Sequence, residues 1–169
     1  MMRILGIDPG SESTGYGIIQ TDGSRHTALL FGAIKTSSLQ PFAVRLFKIH
    51  SELTLILENQ VVNAVAVEGV FHARNIQSAL KLGHARGVVL LVAAQHQLPV
   101  FEYSPLEVKS ALVGYGRAEK CQIQSMVRFL LRLPDVPSPD DAADALALAI
   151  CHCHHLGAKT LQFSLRDAG

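Results

Sequence analysis

Charge is scarce in this chain: Asp, Glu, Lys and Arg make up 17% of its 169 residues. With 49% hydrophobic residues beside so few charges, the chain reads as a folded globule and not as a disordered segment. Cysteine is scarcer still, and three residues (Cys121, Cys151, Cys153) are too few and too odd a number for a disulfide framework. Net charge nearly vanishes at +1, so bulk charge gives no sign of a nucleic-acid binder. Long apolar runs are missing, and the run 88–94 falls far short of the roughly 20 residues that span a bilayer. The N-terminus enters a strand-like run without the features of a signal peptide. A Walker loop is absent, since no Gly-x4-Gly-Lys-Ser/Thr occurs. These absences give the expectation of a soluble, cytoplasmic protein with no membrane association.

What is present reads as one α/β domain over 1–156 with a C-terminal tail over 157–169. Residues 3–8, 16–20 and 26–36 are predicted as an antiparallel meander, with Asp22-Gly23 as a hairpin turn. Apolar spacing then predicts a helix over 42–59, a strand over 64–68, a long helix over 75–97 and a strand over 99–103. Ser104-Pro-Leu-Glu107 is a capping box with proline at the first helical position. Gly114-Tyr-Gly116 links this helix to another over 119–132, and Ser138-Pro-Asp-Asp141 opens a last helix ending near Leu156. Three antiparallel strands followed by β-α-β-α make a mixed five-stranded sheet flanked by helices.

Four carboxylates punctuate this plan. Asp8 and Glu68 each end an apolar strand, and Asp141 and Asp144 lie three apart on one helical face. Apolar strands hold a charge at their ends only when something compensates it, and a pair of divalent cations would. Two such cations are also what phosphodiester hydrolysis uses. Each acid has a plainer role open to it. Asp8 suits an Asp-Pro-Gly turn, and Asp141 suits a helix N-terminus, as does its neighbour Asp140. Glu68 and Asp144, embedded in apolar runs, fit such roles less well.

The motifs Leu5-Gly-Ile-Asp-Pro-Gly10 with Thr14-Gly-Tyr-Gly17, Val67-Glu-Gly-Val-Phe71, Ser78-Ala-Leu-Lys-Leu-Gly83 with Ala85-Arg-Gly87, and Asp141-Ala-Ala-Asp-Ala-Leu146 resemble the RuvC family of bacterial Holliday-junction resolvases. The resemblance covers roughly 2–156. It implies a ribonuclease H-like fold and a homodimer that resolves four-way DNA junctions in recombination and repair by paired symmetric nicks. It further implies two Mg²⁺ ions per subunit, with Mn²⁺ as a substitute, held by Asp8, Glu68, Asp141 and Asp144. The RuvA–RuvB branch-migration complex is the implied partner.

The same resemblance makes Phe71 a base-stacking residue at the crossover, beside Arg74 and Asn75, although a loop phenylalanine can equally be buried. Lys81, Arg86, Lys109, Arg117 and Lys120 are candidate phosphate contacts, with Lys120 the sharpest, against the plain alternative of solvated surface cations. With four carboxylates taken up by metal, the remaining formal charge is about +5, which accommodates a basic patch. Gly83 and Gly87 expose backbone on the long helix, for the chain's own sheet or, as the resemblance implies, for a dimer interface.

Cys151-His-Cys-His-His155 looks like a metal site, but residues two apart on a helix face nearly opposite ways, so the two cysteines cannot chelate together. The alternatives to a junction nuclease are a non-catalytic junction-binding protein, an RNA-processing nuclease on the same fold, and an ATP-binding domain of the actin and sugar-kinase type. The last needs two such domains, and the chain supplies one.

Overall fold

The protein is described here from a computed structural model, which places the backbone of residues 1–69 and 75–166 and side chains as far as Gly157. Strands β1 (Met2–Asp8), β2 (Ser13–Thr21) and β3 (His26–Lys35) form the meander. Helix α1 (Phe42–Asn59), strand β4 (Ala64–Glu68), helix α2 (Ile76–Gln95) and strand β5 (Val100–Tyr103) follow. Helices α3 (Pro105–Val113), α4 (Lys120–Leu131) and α5 (Asp140–Arg166) complete the chain. The sheet order is β3-β2-β1-β4-β5, with β4 and β5 parallel to β1 and the hairpin strands antiparallel. This is the predicted mixed sheet.

Strand pleating sorts the core. Leu5, Ile7, Val65 and Val67 point to one face, where Ile49 and Leu53 of α1 and Ala85 and Val89 of α2 cover them. Ile4, Ala64 and Ala66 point to the other, against Leu146, Ala149 and Ile150 of α5. Between Ala142 and Cys153, helix α5 is buried almost all round because α3 and α4 pack over its far side. Its alanines are therefore packing residues: a helix sandwiched between a sheet and two helices has little room for bulk.

Two strand glycines make that close packing possible. A Cβ on Gly6 would stand 1.9 Å from the Ala145 carbonyl oxygen, and one on Gly15 equally close to that of Asp141. The α5 backbone thus lies directly on β1 and β2.

Two boundaries differ from expectation. Strand β2 begins at Ser13, because Asp8 pairs with Gly15 and draws the end of the expected turn into the ladder. Helix α5 runs through Gly157 to Arg166, past its expected end near Leu156. A single glycine costs a helix only about 1 kcal/mol, too little to stop one that an alanine, a lysine and two leucines continue.

On the outer side of α2, exposed Ile76, Leu80 and Leu91 align with Gly83 and Gly87, where an added Cβ would meet no atom within 4 Å. Neighbouring α1 adds exposed Val44, Phe47 and Leu55. The glycines therefore do not serve contact with the chain's own sheet.

Candidate active site

The pleat that sorts the core also aims the acids. Asp8 follows Ile4 and Gly6 at two-residue intervals, and Glu68 follows Ala64 and Ala66, so both face α5. Parallel pairing matches Ile4 with Ala64 and Gly6 with Ala66, which brings the two strand ends level. Helix α5 begins directly above, and the close approach at Gly15 sets Asp141 against the sheet. Three separate elements thereby deliver four carboxylates to one place.

Asp8, Glu68 and Asp144 line a cleft of about 350 Å³, together with Lys109 and Lys120. Asp141 stands beside it and accepts a 2.5 Å hydrogen bond from the Ser13 hydroxyl. Lys120, at the start of α4, reaches between Asp144 (3.1 Å) and Asp140 (3.3 Å). Asp140, an exposed first-turn acid of α5, also accepts from the Gln124 amide at 2.9 Å.

The electrostatics are those of a site short of positive charge. Burial, then the charges of Glu68, Asp144 and Asp141, push the Asp8 carboxyl up to about 8 from its ordinary 3.8, against the opposing pull of Lys120. Burial and the charge of Asp144 likewise raise Glu68. Burial raises Asp144 even though Lys120 works against it. Desolvation tends to lower Lys120, but its hydrogen bonds and attraction to Asp144 and Asp140 hold it above its ordinary value.

These residues fit a hard divalent cation. They offer only carboxylate oxygens, and they repel one another in the absence of added positive charge. Among the described residues no three or more His, Cys, Asp or Glu side chains are grouped closely enough as they stand to hold a metal ion. Mg²⁺ needs only one or two carboxylates, because it keeps several waters and takes up substrate phosphate oxygens.

The other expected site residues fall into separate places. Lys109 shares the cleft with Lys120, while Arg117 is exposed on the link between α3 and α4. Lys81 is exposed on α2. Asn75 caps α2, its side-chain oxygen accepting from the Ser78 amide at 2.8 Å. Arg86 is engaged beneath the site: it pairs with Glu102 at 2.6 Å and donates to the Glu68 carbonyl at 3.3 Å, bracing the end of β4. Phe71 and Arg74 lie outside the described residues.

Ser13 and Glu102 are the residues that sequence reasoning missed. Serine in a turn-like run and glutamate in a short strand carry no pattern of their own, and only the pairing of β1 with β2 and of β4 with β5 brings them in. In the Cys151–His155 stretch, Cys151 and Cys153 are buried and burial pushes both thiols up to about 12, which disfavours the thiolate a metal needs. His152 instead shares a 2.7 Å hydrogen bond with the Tyr103 hydroxyl.

Residues 4–152 match the family model described as crossover junction endodeoxyribonuclease RuvC. The chain is 53% identical over 154 residues to the crossover junction endodeoxyribonuclease RuvC of Koribacter versatilis, covering 90% of this chain and 93% of that protein. It is 51% identical over 154 residues to the protein of the same name from Pelotomaculum thermopropionicum, covering 91% and 94%. Among solved structures, the RuvC of T. thermophilus in complex with Holliday junction substrate superposes with a TM-score of 0.90 at 37% identity, covering 95% of this chain and 98% of that one. A fowlpox virus resolvase, at 13% identity and a TM-score of 0.58, shares the fold.

Proposed function

Given that this chain belongs to the RuvC family of crossover junction endodeoxyribonucleases, we propose that it resolves Holliday junctions by paired, symmetric nicks made by a homodimer in the cytoplasm. The observation that carries this reading is the convergence of Asp8, Glu68 and Asp144 on one cleft, with Asp141 beside it and two lysines on its wall. In this reading Asp8, Glu68, Asp141 and Asp144 hold two Mg²⁺ ions per subunit, which Mn²⁺ can replace. When bound, the ions supply the positive charge that activates water and stabilises the departing 3′ oxygen.

The chain's own residues do the rest. Lys120 and Lys109 face the non-bridging oxygens of the scissile phosphate, and each bond made there strengthens as water leaves the cleft. Ser13 fixes the orientation of Asp141, and Arg86 holds Glu68 through its backbone. Water adds across the P–O3′ bond and leaves a 5′-phosphate and a 3′-hydroxyl. Phe71 follows Glu68 closely enough in sequence for its ring to stack on a base at the crossover, with Arg74 beside it on phosphate.

The apolar stripe on α2 supports a dimer. Ile76, Leu80 and Leu91 are exposed in line with two open glycines, where a second copy of the same helix would approach closely. Two-fold symmetry then presents two clefts to the two equivalent strands of a junction. The RuvA–RuvB complex is the partner that family membership suggests.

Asp144→Asn tests the site. It removes one carboxylate oxygen charge from the cleft and leaves Lys120 its partner Asp140. The variant should lose cleavage by at least about a hundredfold yet bind junctions undiminished in a gel-shift titration, because cation binding and not DNA contact has been removed. Loss of binding along with cleavage would contradict the assignment.

A further inference from the structure

At the sheet end opposite Asp8, the molecule has a second basic feature, which shares no lining residue with the cleft. The meander register pairs Met2 with Thr21 and Thr21 with His26, so β3 begins at the end where β1 begins. Seven strand residues at roughly 3.3 Å each put that end about 20 Å from Asp8. There the start of β3, the end of α4 and His154 of α5 wall a groove of about 1300 Å³.

Arg25, Arg128 and Arg132 stand on its walls, and none of its lining residues is acidic. Among the described residues, no carboxylate forms a salt bridge with any of the three. The nearest candidate, Asp22, is committed to the hairpin, where it accepts from the Ser24 amide at 2.9 Å and the Arg25 amide at 2.8 Å. Between the arginines Phe129 is 75% exposed, beside leucines at the end of α4. Three exposed guanidinium groups thus surround an open aromatic ring, and among the described residues only Arg25 of the three has a carboxylate, Asp22, acting on it through its charge. They match an occupant that is acidic and carries an apolar side chain.

We propose that this groove docks an acidic peptide segment of a partner protein, with carboxylates on the guanidinium groups and an apolar side chain against Phe129. A peptide suits it better than a nucleic-acid arm. The leucines around Phe129 give an apolar side chain somewhere to be buried, which a phosphate backbone does not need. Docking here would leave both clefts of a dimer accessible.

Fluorescence anisotropy of the full chain with a labelled peptide, Asp and Glu residues flanking a Leu-Phe pair, tests this. Two further probes are the same peptide with serine in place of Leu and Phe, and a labelled oligothymidylate. The first peptide should bind, weakening with added salt, and the serine peptide should bind several-fold more weakly. Arg128→Glu with Arg132→Glu should reduce affinity by about tenfold or more, and Phe129→Ala by several-fold. Because Arg128 also donates to the Leu133 carbonyl, Arg25→Glu on the exposed hairpin provides a second charge reversal that leaves α4 intact. Junction cleavage should be unchanged in every variant, which also reports that the fold survives. Failure of the peptide to bind, equal binding by the variants, or a variant-sensitive preference for the oligonucleotide would overturn the proposal.

Discussion

Without metal at pH 8, Asp8 stands at the middle of its titration, because burial and three neighbouring carboxylates oppose its charge. Unfolded, it titrates near 3.8. A carboxyl whose folded pKa exceeds its unfolded one keeps its proton in the native state over the interval between them. Stability is then greatest at the acid end and falls as pH rises from about 4 to about 8. In EDTA the melting temperature should fall over that interval, and Asp8→Asn should remove most of the slope. The variant should therefore melt above the wild type at pH 8, with the gap closing near about pH 5. A gap independent of pH would show that Asp8 is not the strained member of the site. The strain explains in physical terms why a strand ends on an acid: charge that costs stability alone is charge that a cation neutralises.

At the scale of elements, the site depends on how close α5 lies to the sheet. Gly6→Ala places a Cβ 1.9 Å from the Ala145 carbonyl oxygen, so α5 must lift from β1. A loss of about 3 kcal/mol is expected from urea denaturation, the upper range for overpacking a tight core. A change below about 0.5 kcal/mol would mean that the helix yields freely. The element order, the ending of two strands on Asp8 and Glu68, and the helical spacing of Asp141 and Asp144 were legible in the sequence, because period-two and helical spacing are local properties. The Ser13–Asp141 bond, the Lys120–Asp140 pair and the brace of Arg86 on Glu68 were not, since each joins elements far apart in sequence. Gly15 shows the same limit: as a sequence it marks a motif, and only the approach of Asp141 shows what the missing side chain makes room for.

At the scale of the whole molecule, one cleft cuts one strand and a junction needs two cuts. The stripe of Ile76, Leu80 and Leu91 with the open Gly83 and Gly87 is where a second copy would lie. Leu80→Glu should convert a dimer to a monomer in sedimentation velocity, while the melting temperature moves little because Leu80 is 58% exposed. A variant that stays dimeric would move the interface elsewhere. The most direct test of the account is cleavage of a labelled four-way junction beside a linear duplex of the same sequence, with Mg²⁺ and with EDTA. The account predicts symmetric nicks in opposite strands of the junction, lost in EDTA and absent from the duplex. Equal cutting of the duplex, or cutting that persists in EDTA, would contradict it.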